Sequence, residues 1–129
     1  FHGTADGTVA YTGNQYGMDV PVMIDHWVTN NACGSTPDTT HFPDLVPGDS
    51  VTVDLYTYTG AVPDAEVRLY VMIGFDHNVL YQPANDITEI MEIWLFFRSH
   101  RWLNAGVCDN TSNEPSLQFF PIRPRITSR

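Results

Sequence analysis

Apolar and polar positions alternate along this chain with two different periods. Between Asp19 and Asn31, residues Val20, Met23, Ile24, Trp27 and Val28 recur at i, i+3, i+4, i+7 and i+8, the spacing of one buried helical stripe. Asp19 stands where an N-cap is needed, and Pro21 falls in the first turn, where a missing N–H costs nothing. The helix is expected to end near Asn30-Asn31, with Gly34 just beyond. Residues 51–59 are β-branched or aromatic almost throughout and alternate, which predicts a strand. After a turn at Gly60-Ala-Val-Pro-Asp64, residues 66–73 predict a second one, with Val67, Leu69, Val71 and Ile73 on one face and Arg68, Tyr70 and Met72 on the other. Its nearly continuous apolar character suits a sheet covered on both faces. Asp86-Ile-Thr-Glu89 has the form of a capping box, followed by Ile87, Ile90, Met91, Trp94 and Phe97 at helical spacing to about His100. That aromatic stripe is expected to be core. Arg98, His100 and Arg101 fall in the last turn, where the helix dipole favours positive charge. Residues 35–50, rich in Thr, Pro, Asp and Ser, predict a long surface connection with a turn at Pro47-Gly48-Asp49.

The first eleven residues carry the chemistry. Phe1-His2-Gly3-Thr4-Ala5-Asp6 reads as the end of a buried strand opening into a loop whose carboxylate stands at the strand's C-terminal edge, where open α/β sheets bind ligands. His2-Gly3-Thr4-Ala5-Asp6 followed by Thr8-Val9-Ala10-Tyr11 resembles the acid-bearing segment of secreted α/β-hydrolase esterases, the group of polyhydroxybutyrate depolymerases and feruloyl esterases. Glu66-Val-Arg-Leu-Tyr-Val-Met-Ile-Gly74 closing on His77 is similar to the segment that delivers the catalytic histidine in that family, and Ile93-Trp94-Leu-Phe-Phe97 to its terminal helix. The resemblance covers residues 1–103. It implies Asp6 as the acid and His77 as the general base of a Ser-His-Asp triad, in the family's order of Ser, Asp, His. It also implies an ester substrate, no cofactor and an extracellular setting. The fold implied is the C-terminal portion of an α/β-hydrolase sheet, in the order strand, loop, helix, strand, strand, loop, helix.

The resemblance has departures. Members commonly carry Gly-Gly-Gly-His followed by Thr-Trp-Pro, where this chain has Gly74-Phe75-Asp76-His77-Asn78-Val79-Leu80, a difference that bears on substrate preference. Asp76 competes with Asp6 for His77, but adjacent side chains on an extended segment point apart, which favours Asp6. In the family, the cysteine of a Trp-x-x-x-Asn-x-Cys segment, here Trp27, Asn31 and Cys33, pairs with another just before the next strand. That place is near Ser50 here, so the bridge is missing. Gly48-Asp49-Ser50 superficially resembles the block of another esterase class, but it precedes a strand instead of following the first one. No Gly-x-Ser-x-Gly nucleophile elbow and no oxyanion-hole segment occurs in these residues, and both belong upstream of Phe1 in such a fold. The implied function is therefore part of a serine carboxylester hydrolase, inactive by itself, that works with the upstream part of the same fold. The competing function is a non-catalytic fragment that binds or assembles with copies of itself.

Composition narrows the partners. Fifteen acids oppose six arginines and no lysine, for a net charge of -9. Such a surface repels phosphate backbones, and no basic stripe is present, so nucleic acid is not expected as a partner. No apolar run is long enough for a bilayer. Hydrophobic residues make up 43% of the chain, enough for a core. The chain starts without Met, as though inside a strand, which suits a mature product, a trimmed piece or an incomplete reading frame. Charge changes near residue 101: residues 1–100 hold thirteen acids and two arginines, residues 101–129 two acids and four arginines. We therefore expect one domain over 1–103 and an irregular tail over 104–129, with a glycosylation sequon at Asn110. Cys33 and Cys108 either bond or stay free; the residues alone do not decide it. His2, Asp6, His26, His41 and His77 have no compact metal-ligand spacing, and no metal is expected.

Overall fold

The computed structural model describes residues 1–60 and 65–100. The elements run β1 (His2–Gly3), α1 (Val20–Asn30), β2 (Asp38–His41), β3 (Thr52–Thr59), β4 (Glu66–Ile73) and α2 (Glu89–Ser99). They form a small mixed sheet in the order β1-β4-β3-β2, an α/β arrangement with two helices. The expected C-terminal tail, the Cys33–Cys108 bond, Asn110 and the tip of the 60–64 turn lie outside the described residues.

β3 and β4 make an antiparallel hairpin with Thr52 opposite Ile73 and Thr59 opposite Glu66. β1 runs parallel to β4, His2 opposite Val71 and Gly3 opposite Met72. A parallel neighbour needs a crossover rather than a tight turn, so α1 lies on the long connection between them. The Asp19 carboxylate accepts from the Val22 N–H at 3.1 Å, and Pro21 sits in the first turn. Beyond Asn31 the chain leaves the helix through Ala32 at φ 52°.

β4 is buried on both faces, and each face feeds a separate core. Val67, Leu69 and Val71 meet Val20, Ile24 and Val28 of α1. Tyr70 and Met72 point the other way, packing with Val53 of β3 and with Leu80 and Ile87 from the loop before α2. Period-two alternation therefore divides one strand between two apolar layers.

Five sequence expectations need correction. Residues 35–50 are not all connection: Asp38–His41 pairs antiparallel with Asp54–Thr57 as β2. All four β2 residues are exposed, and an edge strand wet on both faces has no hydrophobic alternation to reveal it. The α1 stripe is narrower than predicted, with Met23 39% and Trp27 51% exposed, because only the i, i+4, i+8 row faces β4. Ile73, expected on the Val67 face, is exposed at the strand's end. The aromatic stripe of α2 is not core at all: the helix buries none of its residues, and Ile90, Met91, Trp94 and Phe97 lie open. Nor does Asp86 cap this helix. Thr88 is the N-cap, without a side-chain bond, while the buried Asp86 accepts from the Leu45 N–H at 2.7 Å. α2 is moored by polar contacts instead: Tyr70 donates to Glu92 at 2.8 Å, and His100 pairs with Glu66 at 3.0 Å.

Candidate active site

Because β1 and β4 are parallel neighbours, the loops that follow them leave the sheet at the same rim. Backbone bonds then hold the two loops together. The Thr4 N–H donates to the Met72 carbonyl at 2.9 Å and the Ala5 N–H to the Phe75 carbonyl at 3.0 Å, while the Gly74 N–H donates to the Thr4 hydroxyl at 2.9 Å. The approach is close enough that a Cβ on Gly3 would lie 2.2 Å from the Phe75 carbonyl oxygen. Gly74 holds φ 79°, and a Cβ there would meet the Ser50 carbonyl oxygen at 2.4 Å. Both positions therefore require glycine, one for space and the other also for its left-handed backbone.

Over this rim Asp6 and His77, 71 residues apart in the chain, come within reach of each other. His77 Nδ1 lies 2.9 Å from Asp6 Oδ2. The second oxygen of Asp6 is occupied locally, accepting from the N–H groups of Thr8 at 2.9 Å and Val9 at 2.7 Å. The Asp6 side chain is 7% exposed and the His77 side chain 56%. Partial removal from water pushes the Asp6 carboxyl up. The bonds from Val9, His77 and Thr8, with the charge of the imidazole, outweigh this and hold it at about 2. Asp6 is thus ionised at neutral pH and can only accept. The proton of a neutral His77 ring then sits on Nδ1, leaving the lone pair of Nε2 without a partner among the described residues. A carboxylate-oriented imidazole with a free Nε2 is the geometry of a general base.

Asp76 leaves the imidazole to Asp6, as expected, and takes a structural part instead. Its Oδ1 accepts from the Gly7 N–H at 2.9 Å and the His77 N–H at 2.7 Å, so it ties the backbones of both loops together without touching the imidazole. Those bonds lower its carboxyl pKa. With Thr4, it is the residue that sequence reasoning missed as a part of this site. The one local signal is its place beside His77, which suggests competition for the imidazole and, since neighbouring side chains point apart, favours Asp6; it gives no sign of the bridge.

The other candidate ligands are scattered. His2 bonds its own neighbour's carbonyl and packs edge-on to Tyr11. His26 pairs with Asn30 on the exposed side of α1. His41 pairs with Asp54 across β2 and β3 at 2.7 Å, a directly opposed position in the register. Among the described residues, no three of these side chains gather as metal ligands. Ser50 stands at the shared rim through its carbonyl beside Gly74, at φ 62°. No helix among the described residues is long and apolar enough to cross a membrane. Comparison with protein-family models, curated proteins and solved structures finds no match to this chain.

Proposed function

We propose that this chain supplies the acid and base of a carboxylester hydrolase. In this reading His77 takes the proton from a serine hydroxyl as that oxygen attacks the ester carbonyl, then returns it to the departing alcohol. Asp6 holds the imidazole in the Nδ1–H tautomer and stabilises its charged form. The serine and the oxyanion donors come from a segment preceding Phe1, as in the esterases that the Asp6 and His77 segments resemble. Setting and substrate follow the same resemblance: an extracellular enzyme cleaving a polyester or a feruloyl ester. The observation that carries the reading is the 2.9 Å Asp6–His77 contact between two loops leaving parallel strands at one rim.

The test has two arms. The 129-residue chain is expected to show neither turnover of a short-chain nitrophenyl ester nor labelling by a serine-reactive fluorophosphonate. A product extended through the upstream coding sequence is expected to show both, to contain Gly-x-Ser-x-Gly, and to lose about 10³-fold or more in kcat with His77→Ala. Turnover by the short chain, or full activity of the extended His77→Ala variant, would defeat the proposal.

A second reading, a non-catalytic piece that assembles with copies of itself, draws on the open apolar face of α2. An extended product without a nucleophile elbow would favour it.

A further inference from the structure

Away from the rim, a cleft of about 340 Å³ opens between α1 and the sheet, near the lower end of the roughly 300–1,000 Å³ typical of small-molecule sites. Its floor is hydrocarbon, with Ile24 from α1 and Leu69 and Val71 from β4. Its rim is of another kind. Tyr11 comes from the loop after β1, and Tyr56 and Tyr58 come from one face of β3, two residues apart. Asp25, exposed on α1, joins them.

The three phenols sit close enough to feel one another. Burial first, and then the neighbouring Tyr56, Asp19 and Tyr58, push the Tyr11 phenol up; burial, Tyr56 and Asp25 do the same to Tyr58. The Tyr11 and Tyr58 phenols are thus held in their neutral form, and the one acidic side chain in the lining is Asp25. No arginine lines the cleft among the described residues, and the chain has no lysine and a net charge of -9. Anions are repelled here. An inorganic cation wants a shell of oxygen ligands, which a floor of Ile, Leu and Val does not offer. A cation that carries its own hydrocarbon suits both parts, since tyrosine rings and a carboxylate attract positive charge while the floor covers the apolar body.

We propose that this cleft binds an organic cation, an alkylated ammonium on a small apolar body, with Tyr11, Tyr56, Tyr58 and Asp25 meeting the charge and Ile24, Leu69 and Val71 covering the body. The cleft shares no residue with the Asp6–His77 pair, so the proposal stands or falls independently of the esterase reading.

Calorimetric titration of the 129-residue chain with benzyltrimethylammonium tests it. Saturable one-to-one binding is expected. Tyr58→Leu should weaken it about tenfold, and Asp25→Asn about threefold, with circular dichroism confirming that each variant keeps its helix content. Asp25 is exposed, so its variant remains informative should Tyr58→Leu disturb folding. Choline is expected to bind at least about fivefold tighter than its uncharged carbon isostere, 3,3-dimethylbutan-1-ol. Absence of saturable binding, equal affinity for choline and the isostere, or unchanged affinity in Asp25→Asn would each overturn the proposal.

Discussion

Asp6 and His77 are held as a pair by the hydrogen bonds of the residues around them. The Asp6 oxygens are divided between the backbone of its own loop and the imidazole, and Asp76 fixes the two loop backbones to each other. A pH dependence follows from the Asp6 carboxyl. Its value of about 2 lies below the ordinary 3.8, so the fold binds its proton less readily than the unfolded chain does. The stabilisation linked to Asp6 is then fully present above about pH 4 and is lost as pH falls from there towards 2. Denaturant titrations of the wild type and of Asp6→Asn should therefore differ by a constant amount near neutrality and converge by about pH 2. A constant gap at every pH would show that the carboxylate is not ionised against these partners. Gly3→Ala tests the loop contact from the other side. The Cβ would strike the backbone carbonyl of Phe75, not a side chain that can rotate away. A loss of about 1–3 kcal/mol in unfolding free energy is expected, comparable to other overpacked sites.

At the scale of elements, the two helices have opposite relations to the sheet. α1 seats three buried aliphatics on β4 and is capped by Asp19. Leu69→Ala, at the centre of that contact, should cost about 2–5 kcal/mol. α2 is held by the Tyr70–Glu92 and His100–Glu66 contacts, and burial with the neighbouring carboxylate pushes the Tyr70 phenol up to about 12. Because Trp94 is 59% exposed, Trp94→Ser should change stability by less than about 0.5 kcal/mol, as surface positions do. Equal costs for Leu69→Ala and Trp94→Ser in chemical denaturation would contradict this division between a seated and a tethered helix. The helical period of α2 is the same as that of α1, so periodicity alone could not tell them apart. It reports that one face is apolar, not that something covers it.

At the scale of the molecule, apolar surface and charge act against each other. Ile90, Met91, Trp94, Leu95 and Phe97 are all exposed on one helix, and the sheet ends in β1 on one side and β2 on the other. Exposed apolar patches and open edges favour association, while a net charge of -9 makes copies repel. Salt screens the repulsion and leaves the apolar attraction intact. Light scattering is therefore expected to show a mass that rises with protein concentration and rises further between about 0.01 and 0.5 M salt. A fixed monomer mass over both ranges would mean that the α2 face is covered in solution. Trp94→Glu combined with Phe97→Glu should reduce the association, since both side chains belong to that face.

What could be read from the residues was whatever depends on near neighbours in the chain. The cap of α1 and the Val20, Ile24, Val28 row of its stripe, the alternation of β3 and of β4 up to Met72, and the turn at Pro47-Gly48-Asp49 are local, and local sterics and periodicity express them directly. The candidate pair was legible only through the resemblance of its two segments to acid- and base-bearing segments of one esterase family, and not from periodicity or composition alone. Tertiary structure decided the rest, because the deciding contacts join residues distant in sequence. The pairing of Asp38–His41 with β3 is one such contact, and the diversion of Asp86 from a helix cap to the Leu45 N–H is another. The bridging by Asp76 and the exposure of the α2 stripe belong with them. A polar side chain offers the same donors and acceptors wherever it sits, so its partner is chosen by which backbone the fold brings near, and an apolar face is buried only where the fold provides something to cover it.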